Sequence, residues 1–322
     1  MCKIIVTGCA GFIGSHLTET LLEEGHEVYG IDNFDPFYDL SIKKANLNHF
    51  LNHRSFTFYE ADLTDEKSTR EIFSRGADIV VHLAGKAGVR PSIEAPQGYI
   101  DHNITATRVV LTAMQQNNIR KIAFASSSSV YGNNPATPWH EDLNVDNPIS
   151  PYAFSKKSCE LLNHTWHHLY HLDVINMRFF TVYGPRQRPD LAIHKFTRLL
   201  YEGTPLTLFG DGSTSRDYTY IDDTISGILK VIYYLRDHNN VFETANLGNN
   251  HPISLKELVD KLSQVTGTSP KIERLPMQPG DVNITYANID KATRMFGYKP
   301  VVSLESGLHK FNEWFRNYYF NQ

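Results

Sequence analysis

The chain has 322 residues, 41% hydrophobic and 20% charged, a composition that excludes a disordered or low-complexity protein and suits one large or two intimately packed α/β domains. A formal charge of −4 with neutral histidines gives no basic surface for nucleic acid, so none is expected as a partner. No apolar run reaches membrane-spanning length and Lys3-Ile4-Ile5-Val6-Thr7 opens directly as a strand, so neither signal peptide nor membrane contact is expected and the predicted address is cytoplasmic.

In chain order, strand candidates at Cys2–Thr7, Glu27–Ile31, Phe56–Glu60, Ile79–His82, Lys121–Ala125 and Val174–Arg178 alternate with helix candidates. The helices are expected near Phe12–Glu24, Ser41–Leu51, Glu66–Ser74, Gln97–Asn117 and Pro151–His171. This succession of β-α units predicts an α/β fold with a doubly wound parallel Rossmann sheet. Beyond Arg178 the rhythm breaks at Pro185, Pro189, Pro205, Gly210 and Gly212. Ile221–Tyr234 then reads as a helix and Phe242–Leu247 as a strand returning to the sheet. Ser254–Thr266 reads as a helix with Ser254 as N-cap and Glu257 completing a capping box. The expected division is a Rossmann domain of residues 1–178 with about 222–249, and a smaller substrate-binding lobe of 179–221 with 250–322, the site lying between them. Cys2, Cys9 and Cys159 show no metal or redox spacing, and Cys2 and Cys9 read as small apolar fillers around the first strand.

The first strand runs into Gly8-Cys9-Ala10-Gly11-Phe12-Ile13-Gly14. Glycines at three-residue spacing let the backbone turn tightly and approach a pyrophosphate, while the next helix offers its free N–H groups. A tight strand-helix turn can need such glycines without any ligand. Here an acid stands at the right distance, Asp32 in Gly30-Ile31-Asp32-Asn33, where a carboxylate accepts from ribose hydroxyls and repels a 2′-phosphate, favouring NAD over NADP. Asp62-Leu63 after the third strand and Leu83-Ala84-Gly85 after the fourth sit where adenine and ribose would pass. Asp62 could instead cap the following helix.

Ser127, Tyr152 and Lys156 form a second constellation. Tyr152 and Lys156, four apart on a predicted helix, share a face. A tyrosine titrating near 10 is too weakly acidic to serve as a base at neutral pH, and a lysine one turn away plus a positive nicotinamide would favour the phenolate. Taken alone, Tyr-x-x-x-Lys also describes an ordinary amphipathic helix.

Taken together, Thr7 to Gly14, His82-Leu83-Ala84-Gly85, Ala125 to Gly132, Tyr152 to Lys156, Arg178 to Pro185, Phe209-Gly210-Asp211-Gly212, Arg216-Asp217-Tyr218 and Gln278-Pro279-Gly280-Asp281 carry a resemblance. The chain resembles the extended short-chain dehydrogenases/reductases, specifically their nucleotide-sugar 4-epimerases, nearly end to end. Phe34–Tyr38 and Tyr183–Asp190 look most like UDP-glucuronate 4-epimerases. The resemblance implies that Ser127 bonds the reacting sugar hydroxyl, Tyr152 is the acid/base and Lys156 holds the nicotinamide ribose. It implies further that Asn103 belongs to the cofactor pocket, that Thr207 and Phe209 line the uridine pocket, that Arg216 neutralises the pyrophosphate and that Asp281 contacts substrate. Gln278 departs from the arginine of many relatives.

The dehydratases of this superfamily carry an Asp-Glu pair at the strand-end serine run, and its decarboxylating members a glutamate. Ser128-Ser129 offer no acid, so reversible oxidation at C4 of a UDP-sugar, through a 4-keto intermediate and with NAD regenerated, is the implied reaction. Arg188 would lie near the sugar, and the hydroxyls of Ser128, Ser129 and Thr181 could hold a C5 carboxylate, which points to UDP-glucuronate and UDP-galacturonate. Arg188 could instead pair with Asp190 or touch only phosphate. A neutral UDP-hexose (glucose or N-acetylglucosamine series) is the alternative substrate, and a non-catalytic NAD-binding module the remote alternative. His164, His167, His168 and His171 imitate a metal stripe, but with Leu162, Trp166 and Leu169 interleaved and no completing ligand they read as a solvent or subunit-interface face. In relatives this helix and the one before it form a dimer interface, so a homodimer is expected.

Overall fold

Apolar runs without polar alternation make strands that need cover on both faces, and helices on both faces supply it. The protein is described by a computed structural model over residues 1–276 and 282–320. Its first half runs β1 (Lys3–Thr7), α1 (Phe12–Glu23), β2 (Glu27–Asp32), α2 (Leu40–Asn48), β3 (Phe56–Glu60), α3 (Glu66–Phe73), β4 (Ile79–His82), α4 (Val89–Glu94), α5 (Pro96–Tyr99), α6 (Ala106–Gln116), β5 (Lys121–Ser127), α7 (Pro151–Tyr170) and β6 (Asp173–Phe179). The remainder adds β7 (Thr181–Tyr183), α8 (Ala192–Glu202), β8 (Leu206–Phe209), β9 (Ser215–Tyr220), α9 (Ile221–Asp237), β10 (Phe242–Leu247), β11 (Pro252–Ser254), α10 (Leu255–Thr266), β12 (Ile272–Leu275), α11 (Asp290–Phe296) and α12 (Leu304–Phe320).

Seven strands form one parallel sheet in the order β10-β6-β5-β4-β1-β2-β3. The period of two along each strand divides its residues between the faces: Ile4 and Val6 join the core with α1 and α9, and Ile5 joins the core with α3, α6 and α7. Strand order reverses between β1 and β4, which opens a crevice at their carboxyl ends. Two small sheets, β11-β9-β7 and β12-β8, stand beside that crevice. Asp217 on β9 ties their surroundings together, its carboxylate accepting from the backbone N–H groups of Asn249, Asn250 and Ala287. Among the described residues no helix is long and apolar enough to cross a membrane.

Two expectations change. The single helix predicted for Gln97–Asn117 is α5 and α6 joined by a π-helical turn over Ile100–Thr105. An extra residue per turn breaks the 3.6-residue register, and the turn holds Asn103, whose side chain is fully engaged inside the protein. The fifth strand runs two residues further than predicted, so Ser126 and Ser127 belong to the sheet. The capped helix starts as expected, with the Ser254 hydroxyl accepting from the Glu257 N–H.

Candidate active site

The crevice is a cavity of about 640 Å³ running from the glycine turn to the loop after β7. At its first end glycine is required by geometry. Gly8 has φ 72, and a Cβ there would lie 2.9 Å from the Ala84 nitrogen; a Cβ on Gly14 would lie 2.0 Å from the Gly8 carbonyl oxygen. Gly11 caps α1 without a side chain and no acid sits in the first turn, so the helix presents unpaired N–H groups and the positive end of its dipole to the cavity. Asp32 is buried, accepting from the N–H groups of Ala10 (3.2 Å) and Phe34 (2.9 Å). Lys43, which the sequence did not single out, pairs with the same carboxylate at 3.2 Å. Gly8, Gly11, Phe12, Ile13, Gly14, Asp32, Asn33, Asp62, Leu63, Leu83, Ala84 and Gly85 all line this cavity. A cradle that only glycine fits, an uncapped helix and a ribose-height carboxylate fit a dinucleotide.

Asp62 is not a helix cap. Asp65 caps α3, accepting from Lys67 and Ser68, whereas Asp62 accepts from Thr64 and from Asn33 at 2.9 Å. Burial pushes the Asp62 carboxyl up, but those bonds outweigh it and hold the group below its ordinary range. Asn103 stands behind the cavity wall rather than in it. Its carbonyl accepts from the Lys86 N–H (2.7 Å) and its amide donates to the Lys86 carbonyl (3.0 Å) and the Ser155 hydroxyl (2.8 Å), so it shapes the loop through Gly85.

At the chemical centre Ser150 caps α7 through the Ala153 N–H and Pro151 fills its first turn, which turns Tyr152 and Lys156 into the cavity. Ser127, Ser128, Ser129 and Thr181 share that wall. Ser127 stands near enough to the Tyr152 phenol to act on its acidity, and its oxygen accepts from the Ser129 hydroxyl at 2.8 Å. Burial raises the Tyr152 pKa, while Ser127 and the Arg188 charge pull it back. Lys156 donates from Nζ to the Ala125 carbonyl at 2.7 Å, and Arg188, which the sequence did not connect with Tyr152, is a further cation acting on the phenol. Sharing a helix face does not decide which acceptor an ammonium finds.

Arg188 lines the cavity, bonded through Nε (2.9 Å) and Nη2 (2.6 Å) to Asp190 and lying 5.1 Å from the Phe37 ring centre. Pairing with Asp190 and facing the cleft are thus both true of it. Arg216 also lines the cavity, as does Arg90, which the sequence did not flag and which stacks on Phe209 at 4.4 Å. Phe209 and Thr207 do not line the cavity; both lie on β8, with Phe209 backing Arg90. Asp281 and Gln278 lie outside the described residues. Of the histidine stripe, His164 and His167 pack against Phe242 and His171 ends the helix at φ 57. Among the described residues no cluster could hold a metal ion.

The model of the NAD dependent epimerase/dehydratase family matches residues 4–248. UDP-glucuronate 4-epimerase of Thermodesulfobacterium geofontis is 42% identical over 313 residues, 96% of this chain and 95% of that protein. The crystal structure of UDP-glucuronic acid 4-epimerase from Bacillus cereus with UDP-glucuronic acid and NAD superposes with a TM-score of 0.93 at 37% identity, covering 98% of this chain and 100% of that one. UDP-glucose 4-epimerase of Thermotoga maritima with UDP-glucose gives a TM-score of 0.89 at 32% identity, over 98% and 99% of the two chains.

Proposed function

The chain belongs to the NAD dependent epimerase/dehydratase family, and from that premise we propose that it inverts C4 of UDP-glucuronate to give UDP-galacturonate, and the reverse. It is an NAD-dependent UDP-sugar 4-epimerase. The observation that carries the substrate assignment is one continuous cavity lined by the dinucleotide cradle, by Ser127 and Tyr152, and by the three arginines Arg90, Arg188 and Arg216. NAD held in the cradle supplies the acceptor, and then the donor, of the C4 hydride.

Tyr152 takes the proton of the C4 hydroxyl and returns it after the 4-keto sugar has turned, while Ser127 orients that oxygen. Lys156, anchored on the Ala125 carbonyl, would hold the ribose of the cofactor. Arg188, Arg90 and Arg216 neutralise the anionic groups of the sugar nucleotide. Ser128 and Ser129 carry no acid that could drive elimination of water. A 4-keto uronate is a β-keto acid that loses carbon dioxide readily. Hydroxyl donors from Thr181, Ser128 and Ser129 hold the carboxylate ionised and away from the axis of the carbonyl π system, which slows that loss. The presence of both Tyr152 and Lys156 in the wall argues against a non-catalytic NAD-binding module.

Pure protein offered UDP-glucuronate, UDP-glucose and UDP-N-acetylglucosamine should convert the uronate fastest, with no build-up of reduced nicotinamide matching product. Faster turnover of a neutral sugar would reassign the substrate, and stoichiometric reduced cofactor would make the protein a dehydrogenase. Thr181→Ala should release some UDP-pentose; a product as pure as that of the wild type would remove the carboxylate-holding role.

The functional unit in this reading is a homodimer. Phe154, Leu161 and Leu169 leave apolar side chains 47%, 56% and 57% exposed along α7, which supports a helix-to-helix interface. Analytical ultracentrifugation at micromolar concentration should show a dimer, and a monomer there would overturn this.

A further inference from the structure

The segment Gly184–Asp190 brings Arg188 into the cleft, yet it is fastened on its other side. Arg186 is absent from the cavity wall and only 10% exposed, and it donates from Nη2 to Glu19 Oε2 at 2.8 Å. His16, on the same helix α1, bonds the Pro185 carbonyl through Nε2 at 3.0 Å. Burial, with the Arg186 charge second, brings the His16 pKa down to about 4. The ring is therefore neutral, and a carbonyl partner requires the proton on Nε2. Both fastenings are to the helix whose first turn forms the dinucleotide cradle.

The path of the segment is not one the backbone takes unaided. Arg186 has φ 64, in the left-handed region that a side chain disfavours. Gly184 has φ 145, and a Cβ there would lie 2.5 Å from Ile221 Cγ2. The surroundings must hold such a conformation. Two residues on, the Arg188 guanidinium is set between Asp190 and the Phe37 ring, so a shift of the backbone at residue 186 carries that charge with it.

We infer that Glu19 and Arg186 are positioning residues: their ion pair, with the His16–Pro185 bond, sets where Arg188 stands in the cleft and so tunes affinity for the sugar nucleotide without touching it. This rests on reading the part of the cavity that Arg188 lines as the seat of the substrate. An exposed ion pair contributes little, but this one buries its cation and restrains a segment in an unfavourable conformation.

Arg186→Gly is the informative variant, since glycine adopts φ 64 without strain and the turn survives while the tether is lost. With NAD-loaded enzyme, KM for UDP-glucuronate should rise roughly ten-fold while kcat stays within about two-fold, the pattern of lost binding rather than lost chemistry. Glu19→Gln should give the same split, and Arg186→Lys, which keeps the cation, should recover most of the affinity. Unchanged KM in Arg186→Gly and Glu19→Gln overturns the inference. So does a KM in Arg186→Lys as poor as in Arg186→Gly, or a joint fall of kcat and thermal stability with KM unmoved. Should Arg186→Gly not fold, Glu19→Gln decides alone. A wild type inert toward UDP-glucuronate is a failure of the substrate assignment instead, and the same split is then read with the UDP-hexose it does convert.

Discussion

Tyr152→Phe should lower turnover by about 10²–10⁴-fold, the share that a positioned acid/base contributes. The ring remains, and with it the edge-on contact to Tyr99 at 6.0 Å, so folding and the shape of the wall are kept. What is lost is the phenol oxygen, on whose acidity Ser127 and Arg188 both act. Binding of UDP-glucuronate to the NAD-loaded variant should change little, because the phenol works on a proton rather than on the nucleotide. Single-turnover kinetics with calorimetric titration separates the two. Turnover within a factor of about three of wild type would remove Tyr152 from the chemistry.

Glu160→Ala should cost about 3–5 kcal/mol of folding stability, the cost of leaving a buried charge without its partner. Glu160 and Arg178 are 6% and 5% exposed and joined by two hydrogen bonds of 2.9 and 2.8 Å. Burial alone would lower the Arg178 pKa; Glu160 more than reverses this and leaves it above its ordinary range. The network continues from Arg178 to the Tyr131 hydroxyl (3.0 Å) and on to Asn246 (2.7 Å), and from Ser126 to Glu160 (2.6 Å). It therefore pins β5, α7, β6 and β10 just behind the chemical centre. Glu160→Leu combined with Arg178→Met, which removes both charges, should cost less than Glu160→Ala alone. Urea unfolding of the three proteins measures this, and a loss below about 1 kcal/mol in Glu160→Ala would mean that water reaches the guanidinium.

The seven-stranded sheet was legible because its strands are short apolar runs between turn residues, and even the returning strand Phe242–Leu247 is visible by that pattern. The π-helical turn was not, since Ile100–Thr105 sits inside a sequence whose apolar residues still look helical on either side. Gly8 to Gly14, Asp32, Ser127, Tyr152 and Lys156 could be picked out because each belongs to a pattern with a fixed spacing. Lys43 and Arg90 could not: a lysine early in a helix and an arginine after a strand end are ordinary surface residues until the fold turns them inward. Gly88-Val89-Arg90, just past the carboxyl end of β4, was the available signal for the second. Thr207 and Phe209 came from the resemblance alone, since no spacing pattern singles them out, and they lie on β8 with Phe209 under Arg90.

All seven residues of β6 are buried, and one edge of that strand is covered by β10, which arrives only after β7, α8, β8, β9 and α9 have been made. A chain extended only as far as β6 therefore has a sheet of at most six strands, whose outer edge keeps unpaired backbone N–H and C=O groups until β10 is made. That edge is a ready template for pairing with another nascent chain. A gene cut after Phe179 should for the same reason yield insoluble product, and supplying Phe242–Leu247 as a separate piece should rescue it poorly. In the chain the long α9 follows directly on β9 and precedes β10, and it packs against β5 and β6, so the element that covers the face of the sheet is made ahead of the one that covers its edge.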